Sequence, residues 1–154
     1  MIRILSYTED MKLAMFELTD RVFAQCGKKF EPQGRHGFYN DVVRNFVQFW
    51  CMFDDDKMIG TVALKRLSDY DCELKALYLE KKYHGRGLGR QLAQTAVDFA
   101  RQSGFSAIYL DCMSNSVNAI SLYEKLGFNK TERYNKNNFA DTFMKMELRA
   151  VQSL

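Results

Sequence analysis

The sequence predicts an α/β fold of the α+β kind: a mixed, largely antiparallel central sheet with helices on both faces. Three observations predict it. Residues 46–53 and 58–67 are apolar, strand-like runs joined by the Asp54-Asp55-Asp56-Lys57 turn, which makes them an antiparallel hairpin. Residues 72–79 read as a strand, followed by a helical stripe and then a short apolar run at 107–111. Such a β-α-β unit places its two strands parallel. Between strand and helix, the chain passes through a charged loop carrying Gly85, Gly87 and Gly89.

The elements follow in order. Residues 2–6 alternate weakly and form a first strand. Thr8 is placed to cap a helix, with Glu9 and Asp10 in its first turn. Met11, Met15, Leu18 and Val22 recur at helical spacing, and Gly27 stops the helix. Residues 28–37 are irregular, and a short second helix covers 39–45. After the hairpin, 68–71 turns into the strand 72–79. From Gly87 to about Ser103, Leu88, Leu92, Ala96 and Phe99 make an apolar stripe, and Gly104 ends it. A last helix spans 117–126 with Gly127 past its end. Residues 128–134 and 142–148 close the chain as two strands. The expected order is β-α-α-β-β-β-α-β-α-β-β, with helices on both faces of the sheet.

At 154 residues this reads as one domain, 1–154, large enough for a core of its own. Apolar residues make up 47% and aromatics 14%, which excludes a disordered chain. A net charge of +3 is too mild to imply nucleic acid. Cys26, Cys51, Cys72 and Cys112 show no C-x-x-C pairing, and three of them sit in strand-like runs, so they read as buried thiols of a reducing compartment. No apolar leader and no run of membrane-spanning length is visible, so a cytoplasmic protein is expected. His36 and His84 have no ligand-like neighbours, and no metal site is expected.

The loop carries the functional reading. Glycines let backbone amides crowd together, and a helix start adds free N–H groups and a dipole of the same sense. That is a cradle for a pyrophosphate. The dinucleotide fingerprint G-x-G-x-x-G fails, because Arg90 stands at its third glycine, and G-x-x-x-x-G-K-[ST] is absent. Asp111, placed where a ribose-binding acid would lie, is then a decoy.

Two motifs carry a family resemblance. His84-x-x-Gly87-x-Gly89, after the strand Glu73-Leu-Lys-Ala-Leu-Tyr-Leu79, resembles the coenzyme A loop of GNAT N-acetyltransferases, [RQ]-x-x-G-x-[GA]. His84 replaces the Arg or Gln, at a position whose contact runs through the backbone. Ala119-Ile-Ser-Leu-Tyr123-Glu-Lys-Leu-Gly127-Phe128 resembles the family's A-x-x-L-Y-x-x-x-G-F helix. The resemblance covers residues 72–128 well and 46–71 by strand order alone.

It implies a GNAT-like acyltransferase fold with acetyl-CoA as co-substrate and an amine as acceptor, transferring the acetyl group directly in a ternary complex. Leu77, Tyr78 and Leu79 would free backbone amides for the pantetheine and the thioester oxygen. His84, Gly85, Arg86, Gly87, Leu88, Gly89 and Arg90 would hold the pyrophosphate, although Arg86 and Arg90 read equally as solvated arginines. Asn115 and Asn118 would contact the coenzyme, and Ser116 either joins them or caps its helix. Glu73 matches a carboxylate that accepts the amine proton in some members; the plain alternative is a surface glutamate paired with a lysine such as Lys65. Tyr123 matches a tyrosine that protonates the departing thiolate; the plain alternative is a core tyrosine. The architecture implies an acceptor wall from the first two helices, which nominates Lys28, Lys29, Arg35, His36 and Tyr39 and an acceptor bearing a carboxylate. No nucleic-acid or membrane partner is expected, and a homodimer is allowed. The alternative class is a non-catalytic acyl-CoA-binding sensor or interaction module.

Overall fold

The computed structural model describes residues 1–148. The strands are β1 (Ile2–Ser6), β2 (Gln48–Asp54), β3 (Lys57–Arg66), β4 (Asp71–Leu79), β5 (Ala107–Cys112), β6 (Asn129–Lys130) and β7 (Thr142–Glu147). The helices are α1 (Lys12–Gln25), α2 (Val42–Asn45), α3 (Leu88–Gln102) and α4 (Val117–Leu126). The sheet runs β1-β2-β3-β4-β5-β7-β6. It is mixed: β4 and β5 are parallel, whereas the β1/β2, β2/β3, β5/β7 and β6/β7 pairs are antiparallel. The expected order of strands and α-helices is the observed one. The domain expectation 1–154 includes 149–154, which lie outside the described residues.

The described chain divides into two compact units, one of residues 1–65 and 75–96, the other of 66–74 and 97 onward. In the first, α1 buries Met15, Leu18, Val22 and Phe23 into a cluster with Phe30, Tyr39, Val42, Phe46, Phe49 and Cys51. Rings meet edge-on, as in Phe23–Phe30 at 5.6 Å and Phe46–Phe49 at 5.3 Å, which adds about 0.5–1.5 kcal/mol per pair beyond area burial. α1 ends as its glycine requires. Gly27 stands at φ 71°, its N–H donates to Ala24 C=O at 3.1 Å, and the Lys28 N–H donates to Phe23 C=O at 2.7 Å.

Three local expectations change in this unit. Thr8 does not cap a helix with its side chain: its hydroxyl goes to the Asp10 carboxylate, and a 3-10 turn at Glu9–Met11 precedes α1. Met11 is only partly buried. The helix expected at 39–45 splits into a 3-10 turn, Gly37–Asn40, and α2, because the Asp41 carboxylate accepts the Arg44 N–H and restarts the helix there.

In the second unit, β5 and β7 pair Ile108 with Met146 and Leu110 with Met144, all buried. The strand expected at 128–134 is cut to Asn129–Lys130. Beyond the Thr131 N–H, which donates to Phe143 C=O at 2.8 Å, the chain leaves the ladder. Arg133 lies over the Phe143 ring at 4.5 Å and donates to the carbonyls of Asn137 and Ala140. Side-chain bonds here hold the backbone that a strand would have used. Cys51 and Cys72 are buried as expected, Cys112 is partly buried, and Cys26 is exposed, contrary to the reading of the four as buried thiols; all are free thiols.

Candidate functional site

Within the first unit, the sequence-predicted residues begin at the end of β4. Ala76 sits at φ 54°, a left-handed conformation that costs a non-glycine residue about 1–3 kcal/mol. The Thr61 hydroxyl donates to the Ala76 carbonyl at 2.7 Å at this irregularity within β4. Leu77, Tyr78 and Leu79 follow it, half-buried. Gly60 on β3 makes the approach to them close: a Cβ there would stand 2.9 Å from the Tyr78 carbonyl oxygen.

Below the loop, Glu80 is a buried anchor, 4% exposed. Its N–H donates to Ile59 C=O at 2.9 Å, Arg21 Nε donates to its Oε1 at 2.8 Å, and Lys57 Nζ pairs with Oε2 at 3.2 Å. Burial pushes the Glu80 carboxyl up, but the bonds from Lys57 and Arg21 outweigh it and leave the pKa below the ordinary value. A 3-10 turn, Lys81–Tyr83, leads upward from there, and the Tyr83 hydroxyl donates to Asp54 Oδ2 at 2.6 Å.

The loop then turns through Gly85 at φ 80° and Gly87 at φ 75°, with nothing within 4 Å of where either Cβ would stand. α3 starts at Leu88, and its first carbonyl partner is Gly87, which accepts from the Gln91 N–H at 3.2 Å. The N–H groups of Leu88, Gly89 and Arg90 therefore have no intrahelical acceptor. His84 turns its ring away, with Nε2 2.9 Å from Leu79 C=O, so its side chain serves the loop rather than a ligand. Arg86 packs over Tyr83, 5.4 Å from the ring centre, and Arg90 is exposed. Open space above left-handed glycines, next to a helix start, fits a pyrophosphate.

Other sequence-predicted residues lie in the second unit. Glu73 is 3% exposed, which overturns the surface-glutamate alternative. The Tyr134 hydroxyl donates to its Oε2 at 2.5 Å and Asn135 Nδ2 at 3.2 Å. Asn135 Nδ2 also donates to Asp111 Oδ2 at 2.7 Å, and Asn137 Nδ2 reaches the same oxygen at 3.2 Å. Asp111 Oδ2 thus accepts from both carboxamides. Burial first, then the charge and hydrogen bond of Glu73, raise the Tyr134 phenol far above its ordinary value, so it keeps its proton. The sequence reading missed Tyr134, Asn135 and Asn137. Their one signal was a Tyr-Asn-x-Asn run beginning at the last residue of an expected strand.

Tyr123 lies on α4, 8% exposed, with its ring edge-on to Phe128. Asn115 and Asn118 flank the α4 start and are exposed. Ser116 takes the cap position through its backbone, its carbonyl accepting from Ile120 N–H at 3.0 Å, without a side-chain bond.

The expected acceptor wall is corrected. Tyr39 is core, and His36 is buried against Phe23 and Phe30 with Nδ1 accepting the Glu31 N–H. Burial, reinforced by Arg35, lowers the His36 pKa and keeps the ring neutral. Only Lys28, Lys29 and Arg35 remain at the surface. A pocket of about 140 Å³ lies elsewhere in this unit, lined by Phe38, Asn45, Phe46, Lys65 and Lys75. Among the described residues, no group of three or more His, Cys, Asp or Glu could hold a metal ion, and no helix is long and apolar enough to cross a membrane.

Comparison with known proteins bears on this geometry. The model of the acetyltransferase (GNAT) family matches residues 13–128. A probable N-acetyltransferase, camello, of Xenopus tropicalis is 38% identical over 85 residues, which is 54% of this chain and 39% of that protein. The chain thus spans about two fifths of that relative's length. A GNAT-family acetyltransferase of Staphylococcus aureus Mu50 superposes with a TM-score of 0.87 at 19% identity, covering 97% of this chain and 100% of that one. The paia N-acetyltransferase of Thermoplasma acidophilum, solved in complex with coenzyme A, superposes with a TM-score of 0.78 at 20% identity, covering 96% and 99%.

Proposed function

Because the chain belongs to the acetyltransferase (GNAT) family, we propose that it is an N-acetyltransferase that moves the acetyl group of acetyl-CoA to a primary amine of a small molecule or protein. The observation that carries this is the pair of left-handed glycines, Gly85 and Gly87, opening into α3 with no atom within 4 Å of either absent Cβ. The amides of residues 85–90 would bind the pyrophosphate, with Arg90 adding a charge-assisted contact. When bound, acetyl-CoA supplies an activated thioester. The amides after Ala76, at Leu77–Leu79, are the donors for its carbonyl oxygen; a fixed donor of this kind is worth about 2.7–4 kcal/mol in other enzymes. Asn115 and Asn118, exposed at the α4 start, are the remaining coenzyme contacts of this reading.

Glu73 is the general base that takes a proton from the acceptor amine, and Tyr123 is the general acid that returns one to the leaving sulfur. A phenol suits that role, because it carries its proton at neutral pH. The pocket beside Lys65 and Lys75 supports a narrower acceptor class, an amine that also bears a carboxylate, since two ammonium-bearing side chains line it.

The test has two arms. Acetyl-CoA should raise the melting temperature, and Gly87→Glu should remove the effect while NAD gives none. Thiol release from acetyl-CoA should then appear with some member of a panel of amines, amino acids, their amides and peptides, with free amino acids ahead of their amides. Binding without release on any amine favours the sensor reading instead.

A further inference from the structure

Residues 131–134 are expected to continue the strand of β6, yet the segment 131–140 folds over one carboxylate. Two donors from it, the Tyr134 hydroxyl at 2.5 Å and Asn135 Nδ2 at 3.2 Å, converge on the same oxygen, Oε2 of Glu73. Neither donor is loose. The Tyr134 ring is held by Tyr109 at 4.8 Å and by Phe143, edge-on, at 5.7 Å. Tyr109 is also the register partner of Glu73 across the β4–β5 ladder. Asn135 is tied at both ends of its carboxamide: Nδ2 bridges Glu73 and Asp111, and Oδ1 accepts the Asn137 N–H at 3.1 Å. Arg133 closes the segment through the carbonyls of Asn137 and Ala140.

Two donors on Oε2 hold that oxygen in place and restrain the swing of the carboxylate about its last bond. A side chain needed only to fill space would not require this. We propose that Tyr134, backed by Asn135, is a positioning residue for acetyl transfer: it clamps Oε2 of Glu73 so that Oε1 is held at the angle at which it takes the proton of the acceptor amine. The inference rests on Glu73 being the base of the proposed reaction. In that reaction the ammonium of the acceptor gives one proton to Glu73, which passes it to solvent. The amine nitrogen forms the C–N bond to the acetyl carbon, the C–S bond breaks, and the sulfur leaves with the electron pair of that bond. Tyr123 protonates the sulfur and recovers its proton from the second one lost by nitrogen. Tyr134 keeps its own proton throughout and only donates a hydrogen bond.

Tyr134 and Asn135 from the segment touch Glu73, Tyr109 is its register partner on β5, Asp111 lies beyond Asn135, and Lys145 of β7 lies over the Tyr109 ring. The test leaves all of them in place but the one hydroxyl. Tyr134→Phe keeps the ring and its stacking, so the melting temperature should stay within a few degrees of wild type. With the amine that gives the fastest thiol release, Tyr134→Phe should lower kcat by about 10- to 100-fold while acetyl-CoA affinity is unchanged. In a Glu73→Gln background the same substitution should cost less than about threefold, because residues that act through one another are not additive. An equal loss in both backgrounds, or no loss in either, overturns the clamp and leaves the base assignment standing. A Glu73→Gln enzyme as fast as wild type overturns the base assignment itself, and the clamp with it. A measurement without acceptor guards the geometry: Glu73→Leu should speed amide hydrogen exchange at Asn137, whose N–H is held by Asn135. Unchanged exchange there overturns the clamp as well.

Discussion

Phe128 meets Tyr123 edge-on, with ring centroids 5.8 Å apart and planes at 66°, and Gly127 is the reason. At φ 113° it reverses the chain at the end of α4. Its N–H donates to Glu124 C=O at 3.1 Å and the Phe128 N–H to Tyr123 C=O at 3.0 Å. This is the two-bond glycine stop, in which the residue after the glycine packs on the one four positions before it. The run Leu-Tyr-x-x-x-Gly-Phe is therefore one mechanical unit: the glycine that ends the helix also seats the aromatic ring that buries the tyrosine.

Gly127→Ala should cost about 1–2 kcal/mol from backbone strain. Its new methyl would meet Met146 Cε at 3.6 Å, an ordinary contact, so packing adds little. Urea unfolding measures this; a midpoint equal to wild type would contradict the strain argument.

Tyr123→Phe retains the ring against Phe128 and removes one proton. If that proton goes to the leaving thiolate, kcat falls by about 10²–10⁴. Acetyl-CoA affinity, read by isothermal titration, should barely move. A full-speed Tyr123→Phe enzyme would leave Tyr123 as a core residue only.

Glu80 should make stability fall in acid. Burial raises its pKa and the bonds from Lys57 and Arg21 lower it more, so the folded value lies below the unfolded one, near 4.5. A carboxylate of that sign stabilises the fold above its unfolded pKa and loses the contribution as pH falls through the folded one. Glu80→Gln should thus have a lower denaturation midpoint than wild type at pH 7, with the gap shrinking below about pH 4. A gap independent of pH would show that the ion pairs contribute nothing.

The thiols should separate. Cys26 is exposed, whereas burial pushes the Cys51 and Cys72 thiols up to about 12. A thiol reagent at pH 8 should modify Cys26 within minutes and leave Cys51 and Cys72 until denaturant is added, with partly buried Cys112 between them. Mass spectrometry of timed quenches reads the order. Early labelling of Cys51 would place it outside the core.

Local rules carried most of the architecture. Strand alternation, helical stripes and glycine stops act within a few residues of chain, so β1, α3, α4 and the end of α1 lie where the sequence places them, and the glycine loop announces its left-handed turns and helix start by composition alone. The parallel pairing of β4 with β5 followed from one crossover rule, whereas the place of β7 between β5 and β6 did not. What only tertiary structure decided were contacts between residues far apart in sequence. Nothing local says that Glu73 will be buried: its neighbours are 61 and 62 positions away, in Tyr134 and Asn135. The segment begins with strand-like residues, but its polar side chains bond to Glu73 and Asp111 and the strand ends at Lys130. Tyr39 and His36 likewise carry polar groups that read as surface, yet the aromatic cluster around Phe23 and Phe30 removes enough apolar area from water to take both inside.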